Sequence, residues 1–164
     1  MQIYAIHQNQ IIARDYGSVL RIVATDFEAL YAYKRGDYQR CLQLSTQNVH
    51  TLVYVYRAPS ISTLPEFVQL LDDEIVSLIA LTVIVNPECR FYVSSSITQL
   101  TLSLYLMTQC QLKLRHSVTT LVKTLHYIEV AQIKHDVSLT VNHLVLKFIE
   151  RSALAYIKAS AAWQ

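Results

Sequence analysis

Two groups of reactive side chains have spacings that could support chemistry. Cys110 and His116 could pair as a nucleophile and its general base, the arrangement that activates a thiol. His126 and Glu129 lie one helical turn apart, with His135 beyond them, and zinc accepts imidazole and carboxylate ligands. Neither group comes with the further ligands or orienting residues that such sites require, and no motif of a nucleotide-binding loop, a hydrolase or a zinc protease is present. The sequence therefore predicts a protein that is not an enzyme, with no catalytic residue, metal site or cofactor.

The three cysteines, Cys41, Cys89 and Cys110, stand far apart and form no C-x-x-C pair. An odd number of widely spaced cysteines argues against a disulfide framework and favours buried free thiols. The opening residues MQIYAIHQNQ have neither a basic start nor a continuous apolar run, so they do not have the pattern of a secretory signal. We therefore expect a cytoplasmic protein whose thiols are reduced.

The composition favours packed helices. Of the 164 residues, 52% are hydrophobic and 16% charged, and the chain contains only two Gly and three Pro. β-Sandwiches and barrels need frequent turns, which are built largely from Gly, Pro, Asn or Asp. We predict an all-α fold in a single domain over residues 1–164, with a weak boundary at 57–63, where the sequence RAPSIST interrupts the helical patterns.

Two apolar stretches are candidates for membrane spans. The run at residues 75–85 is about half as long as the ~20 residues that a span needs. Residues 91–112 are long enough, but they include many Ser, Thr and Gln side chains that are costly in hydrocarbon. We expect both stretches to be buried within a folded domain, and no membrane span.

Two consecutive helices with a tight turn between them are predicted in the first third of the sequence. From Asp15 to Arg35, apolar residues recur at three- and four-residue steps, which indicates an amphipathic helix. Gly36 is typical of a helix end, and Asp37 of a helix start, because its carboxylate can accept a free N–H group of the first turn. The second helix is predicted to begin at Tyr38.

This hairpin resembles one tetratricopeptide (TPR) repeat, over about residues 22–45. The shared features are small residues in both helices, an aromatic residue near the end of the first, and a Gly-Asp-Tyr turn: Ala29, Tyr33, Gly36, Asp37, Tyr38 and Cys41. In that family, small residues let the paired helices approach and the turn tyrosine fills the space between them. Thr25 and Ser45 depart from the pattern, since aromatic residues are usual there. Because one repeat cannot bury its own face, the resemblance implies further helical hairpins, packed as a short TPR-like solenoid or an irregular helical bundle.

The segment 99–114 fits two structures. Its leucines alternate from Leu100 to Leu106, which is a strand pattern, but apolar residues also recur at helical three- and four-residue steps. A lone strand would leave its backbone edges unpaired, and the sequence offers only one weak partner strand. We favour a buried helix, with Ser96 and Gln99 as its capping box.

Four more helices are predicted from apolar periodicity. Ser117 and Asp136 are the expected N-caps of the last two, because their side-chain oxygens can accept a hydrogen bond from the first turn. The four predicted helices are 65–71, 74–85, 118–128 and 137–157.

The resemblance implies a non-catalytic protein–protein interaction or scaffold module, which is a fragment or relative of a larger multidomain protein. Docking as in that family would present inner-helix residues to a peptide or protein partner: Asp26, Leu30, Tyr33 and Lys34. One alternative is a helical bundle that associates with itself, because the charged fraction is low.

A second alternative is weak nucleic-acid binding through the basic C-terminal part. Its cations are Lys113, Arg115, Lys123, Lys134, Lys147, Arg151 and Lys158. The net charge of +2 for the whole chain is modest for a nucleic-acid-binding protein, which disfavours this alternative.

Overall fold

The structure is a computed structural model that describes most of the chain. The described residues are 19–55, 97–134 and 140–162, with five single positions between the first two ranges: Asp72, Asp73, Val76, Ser77 and Ala80. The predicted boundary at 57–63, the predicted helix 65–71, most of 74–85 and the expected cap Asp136 lie outside these residues.

Helices account for nearly all of the three described ranges. They are α1 (19–34), α2 (Tyr38–His50), a π-helical turn (Thr51–Val55), α3 (Gln99–Lys113), α4 (Val118–Lys134) and α5 (Thr140–Ala161). These helices pack against one another, and the described residues form no β-strand. The predicted all-α, bundle-like fold is therefore confirmed.

The turn between α1 and α2 is built from local hydrogen bonds. Gly36 has a φ of 78°, and its N–H donates to the Tyr33 carbonyl at 3.0 Å, while the Asp37 N–H donates to the Ala32 carbonyl at 3.0 Å. This pair of bonds is the Schellman motif, which ends a helix at a residue with positive φ. The Asp37 carboxylate then accepts from the Arg40 N–H at 3.2 Å and caps α2.

Small side chains allow the two helices of this hairpin to lie close together. Ala29 on α1 and Cys41 on α2 are both fully buried. The rings of Tyr33 and Tyr38, on either side of the turn in the sequence, meet edge to face with their centroids 5.7 Å apart.

Helix α3 is the centre of the described fold. Twelve of its 15 residues are buried, because it packs against α2, α4 and α5. The prediction of a buried helix, and not a strand, is therefore confirmed. Its N-cap is Thr98, whose hydroxyl accepts from the Thr101 N–H at 3.2 Å, so the predicted cap at Ser96 is wrong.

Polar contacts fix the last two helices. Ser117 accepts from the Thr120 N–H at 3.4 Å, as its predicted capping role requires. The Asn142 side chain on α5 accepts from the Thr98 N–H at 2.8 Å, which ties α5 to the start of α3. No described helix is long and apolar enough to cross a membrane.

Replacing Gly36 tests the turn. A Cβ added there meets no atom within 4 Å, so the cost of Gly36→Ala comes only from the positive φ. We expect a loss of about 1 kcal/mol in the free energy of unfolding, measured by urea denaturation. Gly36→Asn is the matched control and should lose less, since Asn tolerates this conformation better. Equal stability of the alanine variant and the parent chain would contradict the assigned turn.

Candidate functional site

A row of buried polar and thiol side chains runs between the α1–α2 hairpin and α3. We call this row the polar seam, and its members are Asp26 on α1, Cys41, Ser45 and Asn48 on α2, and Ser103 and Cys110 on α3. The residues of each helix recur at three-, four- or seven-residue steps, so they lie on one face of that helix. The seam therefore occupies an interface that an ordinary core would fill with aliphatic side chains.

Asp26 is the only ionisable carboxyl group among the seam residues. The Ser103 hydroxyl donates to Asp26 Oδ1 at 2.6 Å, whereas Asp26 Oδ2 has no hydrogen-bond partner among the described residues. Burial raises the pKa of Asp26 to about 7, although hydrogen bonds from Ser103 and Asn48 oppose this shift. The Asn48 amide also donates to the Ile22 carbonyl at 3.0 Å, which joins α2 to α1 beside the carboxyl group.

The two thiols occupy the other end of the seam. Cys41 on α2 and Cys110 on α3 are both fully buried, and the two helices that carry them pack against each other. Ser45 lies beside them, with its Oγ 3.7 Å from Cys41 Sγ, and donates to the Cys41 carbonyl at 2.5 Å. The backbone N–H of His116 donates to the Gln111 carbonyl at 3.0 Å in the turn that ends α3, and no hydrogen bond joins His116 to Cys110 in the described part of the chain.

A second polar centre forms around Asp72. The hydroxyls of Tyr33 on α1 and Tyr105 on α3 both donate to Asp72 Oδ2, at 2.7 and 2.5 Å, and Lys34 Nζ lies 3.5 Å from Oδ1. Burial raises the pKa of Asp72, but the hydrogen bonds from the two tyrosines and the charge of Lys34 outweigh it, so the net shift is downward. Asp72 therefore connects α1 to α3 as a carboxylate.

The four residues predicted to face a partner lie mostly inside the fold. Asp26, Leu30 and Tyr33 are buried, and Lys34 is exposed but paired with Asp72. Partner binding by these residues stays a prediction, although only Lys34 offers an accessible side chain. The hairpin residues Ala29, Gly36, Asp37, Tyr38 and Cys41 form the packed turn described above.

The sequence reasoning did not foresee the seam partners on α3 or the role of Asp72. Ser103 and Cys110 share a face of α3 at seven-residue spacing, which is a signal that could have been found. Their partners on α1 and α2 lie far away in the sequence, so nothing local indicates the pairing.

The pair His126 and Glu129, whose spacing could support a metal site, lies on α4. His126 Nδ1 lies 3.8 Å from Glu129 Oε2 on the exposed face of α4, and His135 is outside the described residues. The described part of the chain holds no cluster of three or more side chains able to bind a metal ion.

The basic residues of the C-terminal part are spread over several elements. Lys113 ends α3 and lies over the ring of Tyr38, 5.8 Å from its centroid, while Lys123 projects from α4. On α5, the three cations Lys147, Arg151 and Lys158 are exposed along one stripe of the helix. The nucleic-acid alternative stays a prediction.

The face of α1 that lies away from the buried Asp26 exposes large apolar side chains. Leu20, Phe27 and Tyr31 are 67%, 52% and 57% exposed, and their spacing of seven and four places them on one stripe of the helix. We call these three residues the outer stripe. Arg35 lies over the Tyr31 ring, 5.5 Å from its centroid, and donates to the Tyr31 hydroxyl at 3.2 Å.

No protein-family model matches the chain, and neither a curated protein nor a solved structure is significantly similar to it. The described helices pack in pairs, which is compatible with a helical-repeat arrangement. The resemblance to a TPR repeat is therefore limited to the residues of the α1–α2 hairpin.

Asp26→Asn tests the electrostatics of the seam. Because the pKa of Asp26 rises from 3.8 in the unfolded chain to about 7 in the fold, folding favours the protonated carboxyl. Its contribution to stability is full below about pH 4 and is lost as the pH rises to about 7. The asparagine is neutral at every pH and keeps an acceptor for Ser103.

Between pH 5 and pH 8, we expect the free energy of unfolding of Asp26→Asn to rise relative to the parent chain by about 2–3 kcal/mol. Urea denaturation of both chains at the two pH values measures this difference. A difference that is the same at both pH values would contradict the assigned protonation of Asp26.

Proposed function

We propose that this chain is a non-catalytic protein-interaction module built on a TPR-like helical hairpin. The packing of small residues at the hairpin and the Gly-Asp-Tyr turn support the TPR-like part of the proposal. The proposal keeps the predicted cytoplasmic location, where the thiols stay reduced.

The observation that carries the proposal is the outer stripe of α1. Exposed aromatic and leucine side chains next to an arginine have the composition of a protein-binding surface, in which apolar anchors are ringed by polar groups. The partner is proposed to bind here and not at the predicted inner face, because Asp26, Leu30 and Tyr33 are buried.

The charges around the outer stripe indicate what the partner carries. Arg21 on α1 and Arg35 in the turn that follows it are exposed, whereas the nearby acid Glu28 forms an ion pair with Arg40. The stripe is therefore apolar and flanked by cations. We propose that the partner presents an amphipathic helix whose aliphatic face is bordered by carboxylates.

Self-association is a second candidate, favoured by a different surface. Val122 and Ile133 on α4 are 53% and 79% exposed and lie three turns apart on one stripe. A copy of the chain could cover them, and the low charged fraction of 16% is consistent with this use.

A displayed library of helical peptides, selected on the full chain, tests the interaction proposal. We expect the enriched peptides to be acidic and amphipathic. The double variant Leu20→Ala/Tyr31→Ala should weaken their binding at least roughly tenfold, because it removes two exposed anchors and leaves the core intact.

Val122→Ala/Ile133→Ala is the matched control, since it removes a similar apolar stripe from α4. It should leave peptide affinity unchanged. Equal losses for both double variants, or enrichment of basic peptides, would contradict binding at the outer stripe. Light scattering on the same samples tests the self-association candidate. Self-association through α4 would give the mass of a dimer, and Val122→Ala/Ile133→Ala would reduce it to the mass of a monomer.

A further inference from the structure

Four exposed side chains form a single stripe on α4. They are Val122, His126, Glu129 and Ile133, and all four are more than half exposed. Their steps of four, three and four residues place them on one side of the helix. The same steps are those of the contact positions in a pair of helices that cross at about 20°. We call these four residues the α4 stripe.

The α4 stripe is complementary to its own antiparallel copy. Its ends are apolar, and its middle holds one base and one acid, so reversing its direction exchanges only His126 and Glu129. In two antiparallel copies related by a two-fold axis midway between these residues, Val122 lies opposite Ile133 of the other copy. His126 lies opposite Glu129 of the other copy in the same way, because both pairs are centred on the same point of the helix. A parallel pair would instead set Glu129 against Glu129, which is repulsive.

We propose that two copies of the chain associate through an antiparallel pair of α4 helices, in which each α4 stripe covers the other. The inference rests on self-association, the second candidate for function. It adds the orientation and register of the two copies and assigns a role to His126 and Glu129. It makes no use of the outer stripe of α1.

The polar middle of the α4 stripe supplies the specificity of this pairing. Within one chain, His126 Nδ1 lies 3.8 Å from Glu129 Oε2. In the antiparallel pair, both histidines and both glutamates would surround the two-fold axis, so each carboxylate could accept a hydrogen bond from the imidazole of the other copy. The apolar contacts at the two ends would shield these bonds from water and strengthen them.

The contact is small, which sets the conditions for its detection. The distance from Val122 to Ile133 is about 16 Å along the helix axis. A single helix pair of this length buries less surface than the roughly 1,200–2,000 Å² of a stable complex. We therefore expect a weak dimer, and its mass is measured by sedimentation of the full chain at about 100 μM.

A charge exchange tests the pairing of His126 with Glu129. His126→Glu would set carboxylates against each other at both polar contacts, and Glu129→Lys would set a lysine against His126. Each variant alone should raise the Kd of the dimer at least roughly tenfold. An equal mixture should recover a Kd close to that of the parent chain, because the two variants carry opposite charges at the facing positions. Native mass spectrometry identifies the mixed dimer when one variant is labelled with ¹⁵N.

Cysteine cross-linking tests the orientation of the two copies. Val122→Cys and Ile133→Cys are prepared as separate chains that also carry Cys89→Ser, and Cys89→Ser alone is the control, since Cys41 and Cys110 are buried. Under mild oxidation, an equal mixture should form a disulfide-linked dimer. Neither chain alone should do so, because the two copies of either position would lie about 16 Å apart along the helices, beyond the reach of a disulfide.

The outcomes separate this inference from self-association itself. The substituted side chains on α4 are exposed, so the variants should fold, which circular dichroism verifies. A monomer at about 100 μM, or a dimer that persists in Val122→Ala/Ile133→Ala, would overturn both. A dimer that this double variant abolishes would leave self-association through α4 in place. In that case, cross-linking of either cysteine chain with itself, or no recovery in the charge mixture, would overturn the antiparallel pairing alone.

Discussion

The burial of 12 of the 15 residues of α3 is the constraint on which the described fold depends. A buried polar side chain has no solvent to satisfy it, and each unpaired group would cost about 1–3 kcal/mol. Neither polar side-chain atom of Gln99 has a hydrogen-bond partner among the described residues, but three other buried polar side chains of α3 are satisfied in different ways. Ser103 donates to Asp26 across the hairpin interface, Thr108 donates back to the Leu104 carbonyl of its own helix, and Gln111 accepts from Thr124 on α4. The hydrogen bond from Ser103 to Asp26 joins α3 to the hairpin, so the polar seam connects the two by a polar contact as well as by packing.

The seam also determines which surfaces remain for function. The inner face of the hairpin is occupied within the chain by α3 and Asp72, so the surface used in the resembling family is not presented to solvent by Leu30 or Tyr33. Exposed apolar side chains lie instead on the outer stripe of α1, on the π-helical turn, on α4 and on α5.

The hairpin could be predicted from the sequence because its signals are local. The positive φ of Gly36 and the cap at Asp37 involve residues that lie within one turn of each other. Helix α3 was harder to predict, since a helix buried on all sides has no apolar stripe and its leucines also fit a strand. The N-cap of α3 is Thr98 and not the predicted Ser96, because the Thr98 hydroxyl accepts a hydrogen bond from the first turn of the helix. The polar seam could not be predicted from the sequence, because the hydrogen bond between Asp26 and Ser103 joins positions 77 residues apart.

The most direct test of this account is a double-mutant cycle between Asp26→Ala and Ser103→Ala, read as the free energy of unfolding near pH 8. The account predicts a coupling of about 1–2 kcal/mol, since the hydrogen bond to a largely ionised carboxyl group is buried. Thr108→Ala provides the reference, because its hydroxyl bonds only its own helix in the described structure, and its effect should add to that of Asp26→Ala. Additive losses for Asp26 and Ser103, with a coupling below about 0.3 kcal/mol, would contradict the polar seam as the link between the hairpin and α3.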